Sequence, residues 1–168
     1  HLRDLIVLQQ QAHPEILIRQ SITVDIDQDI ITSIDIQQIR QAFTNILQNA
    51  IDSIASTEVH SKQGCIDILL SRQELNGDAV VAITVTDSGK GLPDDIDPAR
   101  LTEPYVTRKE KGTGLGLAIV KKIMEDHQGR LVIGIPDWLK AIAEWQDLGG
   151  ASVSLLIPFR SSASDSEP

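Results

Sequence analysis

Three clusters of residues in this chain have types and spacings that could do chemistry. Gln41, Asn45, Asn49 and Asp52 fall on one narrow stripe of a helix at 100° per residue, opposite its apolar face. A face that only meets water usually carries Lys, Glu and Arg, and asparagine is a poor helix former. Yet residues 36–54 hold just two charged side chains, Arg40 and Asp52. Carboxamide oxygens one turn apart could serve a hard cation such as Mg²⁺, which keeps several waters and shares substrate phosphates. On these residues alone a functional stripe and a plain polar face stand at even odds.

The second cluster is Asp87-Ser88-Gly89-Lys90-Gly91 at the end of a β-rich run. Its glycines let the backbone turn sharply and approach a ligand closely. The aspartate can accept a hydrogen bond from an exocyclic amine such as that of adenine. The same residues also make an ordinary turn capped by the aspartate side chain, and taken singly that reading is the stronger. The third cluster is Lys111-Gly112-Thr113-Gly114-Leu115-Gly116-Leu117. A glycine inside a helix costs roughly 1 kcal/mol, so three at alternate positions disfavour regular structure. Free backbone N–H groups at a helix start form an anion site. The segment before it is a basic loop rather than a strand and the spacing differs, which excludes the dinucleotide fingerprint; no phosphate-binding P-loop is present.

Hydrophobic periodicity supplies the elements that must hold these clusters. Residues 2–11 read as the tail of a helix ended before Pro14, and residues 15–20 and 22–27 as two half-buried strands. Asp35 and Gln38 resemble a capping box. The helix behind them is marked by Ile39, Ala42, Phe43, Ile46, Leu47, Ala50, Ile51 and Ile54. Ile66–Leu75 and Ala79–Asp87 read as a hairpin around Asn76-Gly77-Asp78. A Gly- and Pro-rich loop over 88–112 leads to a helix from about Thr113 to His127, stopped at Gly129. Arg130–Pro136 and Ala151–Pro158 read as paired strands around an amphipathic insert, and residues 161–168 as a disordered tail. In the insert Trp138, Ile142 and Trp145 share a helical face, which either packs on the domain or docks a partner.

Composition narrows the function classes. The chain has 168 residues, enough for one domain with a real core, and scarce aromatics leave that core to Ile, Leu, Val and Ala. No apolar run approaches the ~20 residues that cross a bilayer. The net charge of −9 argues against nucleic acid as a partner. Six of the fifteen cations nevertheless gather at Arg100, Arg108, Lys109, Lys111, Lys121 and Lys122, so a small polyanion and a solvated face are both open. Cys65 heads an apolar run and reads as a strand residue, not a nucleophile. The start at His1 without Met suggests a piece of a longer protein.

The order of the clusters says more than any one of them. An Asn-striped helix (QAFTNILQNAID, Gln41–Asp52), a strand ending in DSGKG (Asp87–Gly91), EPYVTRK (Glu103–Lys109) and GTGLGL (Gly112–Leu117) resemble the N, first G, F and second G boxes of the histidine-kinase ATPase superfamily. The resemblance runs from about Leu2 to Phe159. LTEPYVTRKEKGTGLGLAIVKKIMEDHQG is most similar to the sensor kinases of nitrogen regulation, in which Thr and Tyr replace the usual F-box phenylalanines.

The resemblance implies a two-layer α/β sandwich of the Bergerat type, a mixed sheet covered on one face by helices, over residues 15–159. Residues 1–14 would be the tail of a linker helix, 92–112 a lid, 137–149 an insert and 160–168 a tail. It implies ATP and Mg²⁺ as ligands. Asn49 would hold the metal, with Asn45 and Asp52 beside it. Asp87 would bond the adenine amino group, with Gly89 and Gly91 letting the backbone close around the base. Tyr105, Thr107, Arg108, Lys109, Gly112, Thr113, Gly114, Leu115 and Gly116 would form the phosphate end. Lys109 and Asn45 would act in the chemistry.

Asn45 is informative within the superfamily, because hydrolysing relatives of the gyrase and mismatch-repair types carry a glutamate there to activate water. An amide has no useful basicity, so slow hydrolysis and transfer to a histidine are expected. His1, His13, His60 and His127 all lack the family's acceptor context, which places the acceptor on a separate dimerisation domain, with a response regulator beyond it. The parent would be a homodimer attached to the bacterial inner membrane, with this domain in the cytoplasm. The alternatives are an anti-sigma-type serine kinase of the same fold and a nucleotide-sensing module.

Overall fold

The computed structural model describes residues 2–23, 34–57, 62–92, 97–103 and 116–159. Its elements are α1 (Leu2–Ala12), β1 (Ile16–Ile22), α2 (Ile36–Ala55), β2 (Gly64–Leu75), β3 (Asp78–Asp87), α3 (Gly116–Asp126), β4 (Arg130–Ile133), α4 (Asp137–Lys140) and β5 (Ser152–Pro158). One sheet runs β1-β2-β3-β5-β4. β1 and β2 are parallel and the other neighbours antiparallel, so the sheet is mixed. Leu5 and Ile6 of α1, Ile39, Phe43 and Leu47 of α2, and Val120 and Met124 of α3 pack with Ile66, Ile83, Val85 and Leu155 in one core. The helices thus cover one face of the sheet, as expected.

Local chemistry explains most boundaries. Asp35 caps α2, its Oδ1 accepting from the N–H groups of Gln37 and Gln38 at 3.0 and 3.2 Å. The other half of the expected capping box is made differently. Asp35 N–H donates to His127 Nε2 at 3.0 Å, while His127 Nδ1 lies 2.7 Å from Ile123 O. The ring therefore carries its proton on Nδ1, caps the end of α3 and ties it to the start of α2. In the hairpin Leu75 pairs with Asp78, and Asn76 and Gly77 are both left-handed (φ 54° and 84°), as a two-residue type I′ turn requires.

Several boundaries differ from the sequence expectation. The first expected strand runs on from Ile16 to Ile22, and most of the second, Val24 and Ile26 included, lies outside the described residues. α1 supports that edge strand: Gln10 Oε1 accepts from Ile18 N–H at 3.0 Å and its Nε2 donates to Ile16 O at 2.6 Å. Gln128, not Gly129, is the left-handed residue after α3 (φ 58°). Gly129 is glycine because a Cβ there would strike Leu156 O of β5. α4 is only four residues long, so Trp138, Ile142 and Trp145 do not share a helical face.

That insert packs on the domain, on the second face of the sheet. Thr84 and Thr86 alternate with the core residues Ile83 and Val85 and so point away from the helices. Their hydroxyls pair with Ser154 and Ser152 of β5 at 2.8 and 2.9 Å, all four buried. Trp145 Nε1 donates to Thr86 Oγ1 at 3.1 Å and holds the insert there.

Candidate nucleotide-binding site

Asp87 ends β3 on the helix side of the sheet and is only 4% exposed. Its Oδ1 accepts from Gly89 N–H at 2.8 Å, the turn that the plain reading of this cluster required. It also accepts from Ala151 N–H at 3.3 Å, across the sheet from β5. Both backbone donors go to Oδ1, so the turn accounts for one carboxylate oxygen and takes neither lone pair of Oδ2. A buried carboxylate with one oxygen held can present the other to an amine.

Burial pushes the Asp87 carboxyl above the ordinary carboxylate range, and the N–H groups of Gly89 and Ala151 offset part of that push. The Ser53 hydroxyl of α2 comes close enough to favour the charged form too, although it does not reach hydrogen-bonding geometry with any described residue. Ser88 anchors the loop, its Oγ accepting from Cys65 N–H at 2.8 Å and its N–H donating to Cys65 O at 3.0 Å. Burial also raises the Cys65 thiol, which keeps it protonated and inert, in line with a strand residue.

Two glycines let these parts meet. A Cβ on Gly89 would overlap Ser53 Oγ and stand 2.6 Å from the Ser53 carbonyl carbon, so α2 and the loop touch backbone to backbone. A Cβ on Gly150 would overlap Asp87 Oδ1 and lie 2.7 Å from Gly89 N. Gly91 is left-handed (φ 80°). The sequence reading missed Ser53, Gly150 and Ala151. Two adjacent glycines opening the strand that pairs with β3 were the available signal.

From the Gly89 contact the polar stripe runs back along α2, Asn49 one turn and Asn45 two turns before Ser53, roughly 6 and 12 Å along the axis. Asn45, Asn49 and Asp52 are half-buried and Gln41 is exposed. Gln48 Nε2 donates to Asp52 Oδ1 at 2.9 Å. No group of three His, Cys, Asp or Glu that could hold a metal exists among the described residues. Mg²⁺ bound through phosphates needs only one or two protein oxygens, which the carboxamides can give. Gly116 opens α3, and a Cβ on it would meet nothing among the described residues within 4 Å. Tyr105, Thr107, Arg108, Lys109, Gly112, Thr113, Gly114 and Leu115 lie outside the described residues. Of the remaining clustered cations, Arg100 pairs with Glu103 and Lys122 with Asp126 at 3.5 and 2.7 Å.

Comparison with known proteins places the chain in a family. The chain is 40% identical over 129 residues to the nitrogen regulation protein NtrY of Azorhizobium caulinodans, a match covering 76% of this chain and 16% of that protein. The chain thus spans about a sixth of that relative's length. Among solved structures it resembles the mycobacterial sensor histidine kinase MprB (TM-score 0.65, 21% identity, 93% of this chain and 91% of that one). It also resembles full-length ShkA in complex with AMPPNP (TM-score 0.63, 25% identity, 96% of this chain and 30% of that one). Further relatives carry the name sensor histidine kinase, among them ZraS of Salmonella typhimurium (39% identical over 121 residues, 67% of this chain and 24% of that protein), which does not favour the anti-sigma alternative. Residues 34–161 match the family model described as histidine kinase-, DNA gyrase B- and HSP90-like ATPase, and the chain belongs to that family.

Proposed function

We propose that this chain is the ATP-binding catalytic domain that lets a sensor kinase move the γ-phosphoryl of ATP to a histidine on a separate helical domain. The observation that carries the reading is Asp87: a buried carboxylate with Oδ1 pinned and Oδ2 taken by neither backbone donor, whose loop packs through Gly89 on Ser53, one turn along α2 from Asn49. Oδ2 accepts the adenine amino group, and the Gly89 and Gly91 backbone closes on the base. Asn49 gives its carboxamide oxygen to Mg²⁺, with Asn45 and Asp52 supporting it. The metal neutralises phosphate charge when bound. Gly112, Gly114 and Gly116 line the phosphate end with Thr113 and Leu115, while Thr107, Arg108 and Lys109 approach the phosphates and Tyr105 packs the lid over 92–112. Open space at Gly116 fits a glycine chosen for a ligand, not for packing.

Phosphoryl transfer asks mainly for alignment and charge neutralisation. Asn45 cannot take a proton from water, so the site holds ATP without spending it. Residues 1–14 are the end of a helix arriving from the phosphoacceptor domain, which also dimerises; residues 160–168 form a tail. A response regulator is the onward acceptor, and the domain works in the cytoplasm below a membrane-attached sensor. No helix among the described residues is long and apolar enough to cross a membrane. Calorimetry of the chain with ATP, with and without Mg²⁺, tests the metal assignment. Asn49→Ala is expected to abolish the Mg²⁺-dependent gain in affinity; an unchanged gain would remove Asn49 from the site.

A further inference from the structure

The Ser53 hydroxyl stands beside the Asp87 carboxylate and favours its charged form without forming a hydrogen bond of full geometry. Its Oγ is buried and has no hydrogen-bond partner among the described residues. If α2 needed only to let Gly89 approach, alanine would serve better. It is as small, it is the stronger helix former, and it buries no polar atom. A buried polar group left without a partner beside a pinned carboxylate is the kind of local cost that a binding site explains.

We propose that Ser53 is a positioning residue of the base site, its hydroxyl turning to donate to the Asp87 carboxylate when a 6-aminopurine is seated, so that the carboxylate stays an acceptor for the exocyclic amine. The proposal rests on the reading that Asp87 takes the base. A serine hydroxyl moves between staggered positions at little cost, and Ser53 already stands against Gly89, which donates to the same carboxylate. With Gly89 N–H, Ala151 N–H and Ser53 Oγ around it, Asp87 meets three neutral donors and no acceptor. Among the described residues the ionisable groups nearest in the chain are Asp52 on α2, Cys65 and Asp67 on β2, Lys90 in the loop and Asp147 before β5, and burial with the three neutral donors accounts for the upward push on Asp87. Ionised, Asp87 selects an amino purine. Protonated, it would be a donor and would pair with a 6-oxo purine. The Ser53 hydroxyl favours the first state.

The test compares this chain with its Ser53→Ala and Asp87→Asn variants, titrating MgATP and the 6-oxo analogue MgITP by calorimetry from mildly acidic to neutral pH. Ser53→Ala is expected to weaken ATP about tenfold and ITP hardly at all. Losing a donor raises the Asp87 pKa, so ATP binding should fade on acidification at a higher pH than in the parent chain, with no loss in melting temperature. An unchanged ATP to ITP ratio and pH profile in Ser53→Ala overturns the proposal. So does an equal fall for both nucleotides with a lower melting temperature, which marks a packing role. If Asp87→Asn also leaves the ratio unchanged, the base-site reading fails with it; if only Ser53→Ala is silent, that reading stands and the role of Ser53 alone is lost.

Discussion

A Cβ added at Gly89 would stand 2.6 Å from the backbone of Ser53, whereas one added at Gly116 would meet no atom of the described residues within 4 Å. The two glycines border the same proposed site, one after β3 and one at the head of α3. Gly89 is required by the chain's own packing, because α2 and the loop touch there without room for a methyl group. Nothing described in the chain requires Gly116. The difference separates two jobs that a glycine-rich motif can do, assembling a site and admitting a ligand. Changes on the first side should therefore cost stability, and changes on the second should cost only binding.

Asp87→Asn should produce the largest effect and mark where the two jobs divide. A hydrogen bond to a charged group contributes about 1.5–3 kcal/mol, so ATP affinity should fall by one to two orders of magnitude and the preference over ITP should narrow. Folding stability should respond in the opposite sense. Because burial raises the folded-state pKa of Asp87, its ionisation opposes folding. Its contribution is most favourable below the unfolded value and is lost as pH rises through the folded one. At neutral pH the Asn variant should thus be no less stable than the parent chain, and its stability should change less on acidification. Calorimetry and urea unfolding at two pH values check both halves.

Gly89→Ala should destabilise the fold by about 1–3 kcal/mol, the usual cost of overpacking, read as a lower urea midpoint. An unchanged midpoint would mean that α2 and the loop separate freely, and the comparison would collapse. Trp145→Phe removes the indole donor to Thr86 and should cost about 1 kcal/mol without touching nucleotide affinity, since it acts on the opposite face of the sheet. Gly116→Ala is the smallest change in stability, neutral or a gain of up to about 1 kcal/mol from a stiffer unfolded chain. Weaker nucleotide binding at an unchanged or raised melting temperature is the expected pairing. A lowered melting temperature would place a packing role at Gly116.

The two faces of the sheet show how much of this was legible beforehand. Periodicity alone placed α2, the hairpin and the β3 end that carries Asp87, because those patterns are local. The partners of Asp87 were not legible. Ala151 lies 64 residues away and reaches it only because β5 runs beside β3. The tie from Asp35 to His127 spans 92 residues for the same kind of reason. The Trp-bearing insert showed an amphipathic helical period, yet its helix stops at Lys140 and Trp145 is held by a threonine on the back of the sheet. On that back face the buried hydroxyls of Thr84, Thr86, Ser152 and Ser154 are paired. On the front face the buried Ser53 hydroxyl has no hydrogen-bond partner among the described residues, and it lies beside a carboxylate whose Oδ1 takes both backbone donors.

On the proposed reading, this chain presents ATP for transfer and does not hydrolyse it. Incubation with γ-labelled ATP and Mg²⁺, with and without the phosphoacceptor helical hairpin of a related sensor kinase, tests it. The account predicts little free phosphate from the chain alone, and acid-labile, base-stable label on the hairpin once it is added. Rapid hydrolysis by the chain alone, with no label on the hairpin, would contradict it.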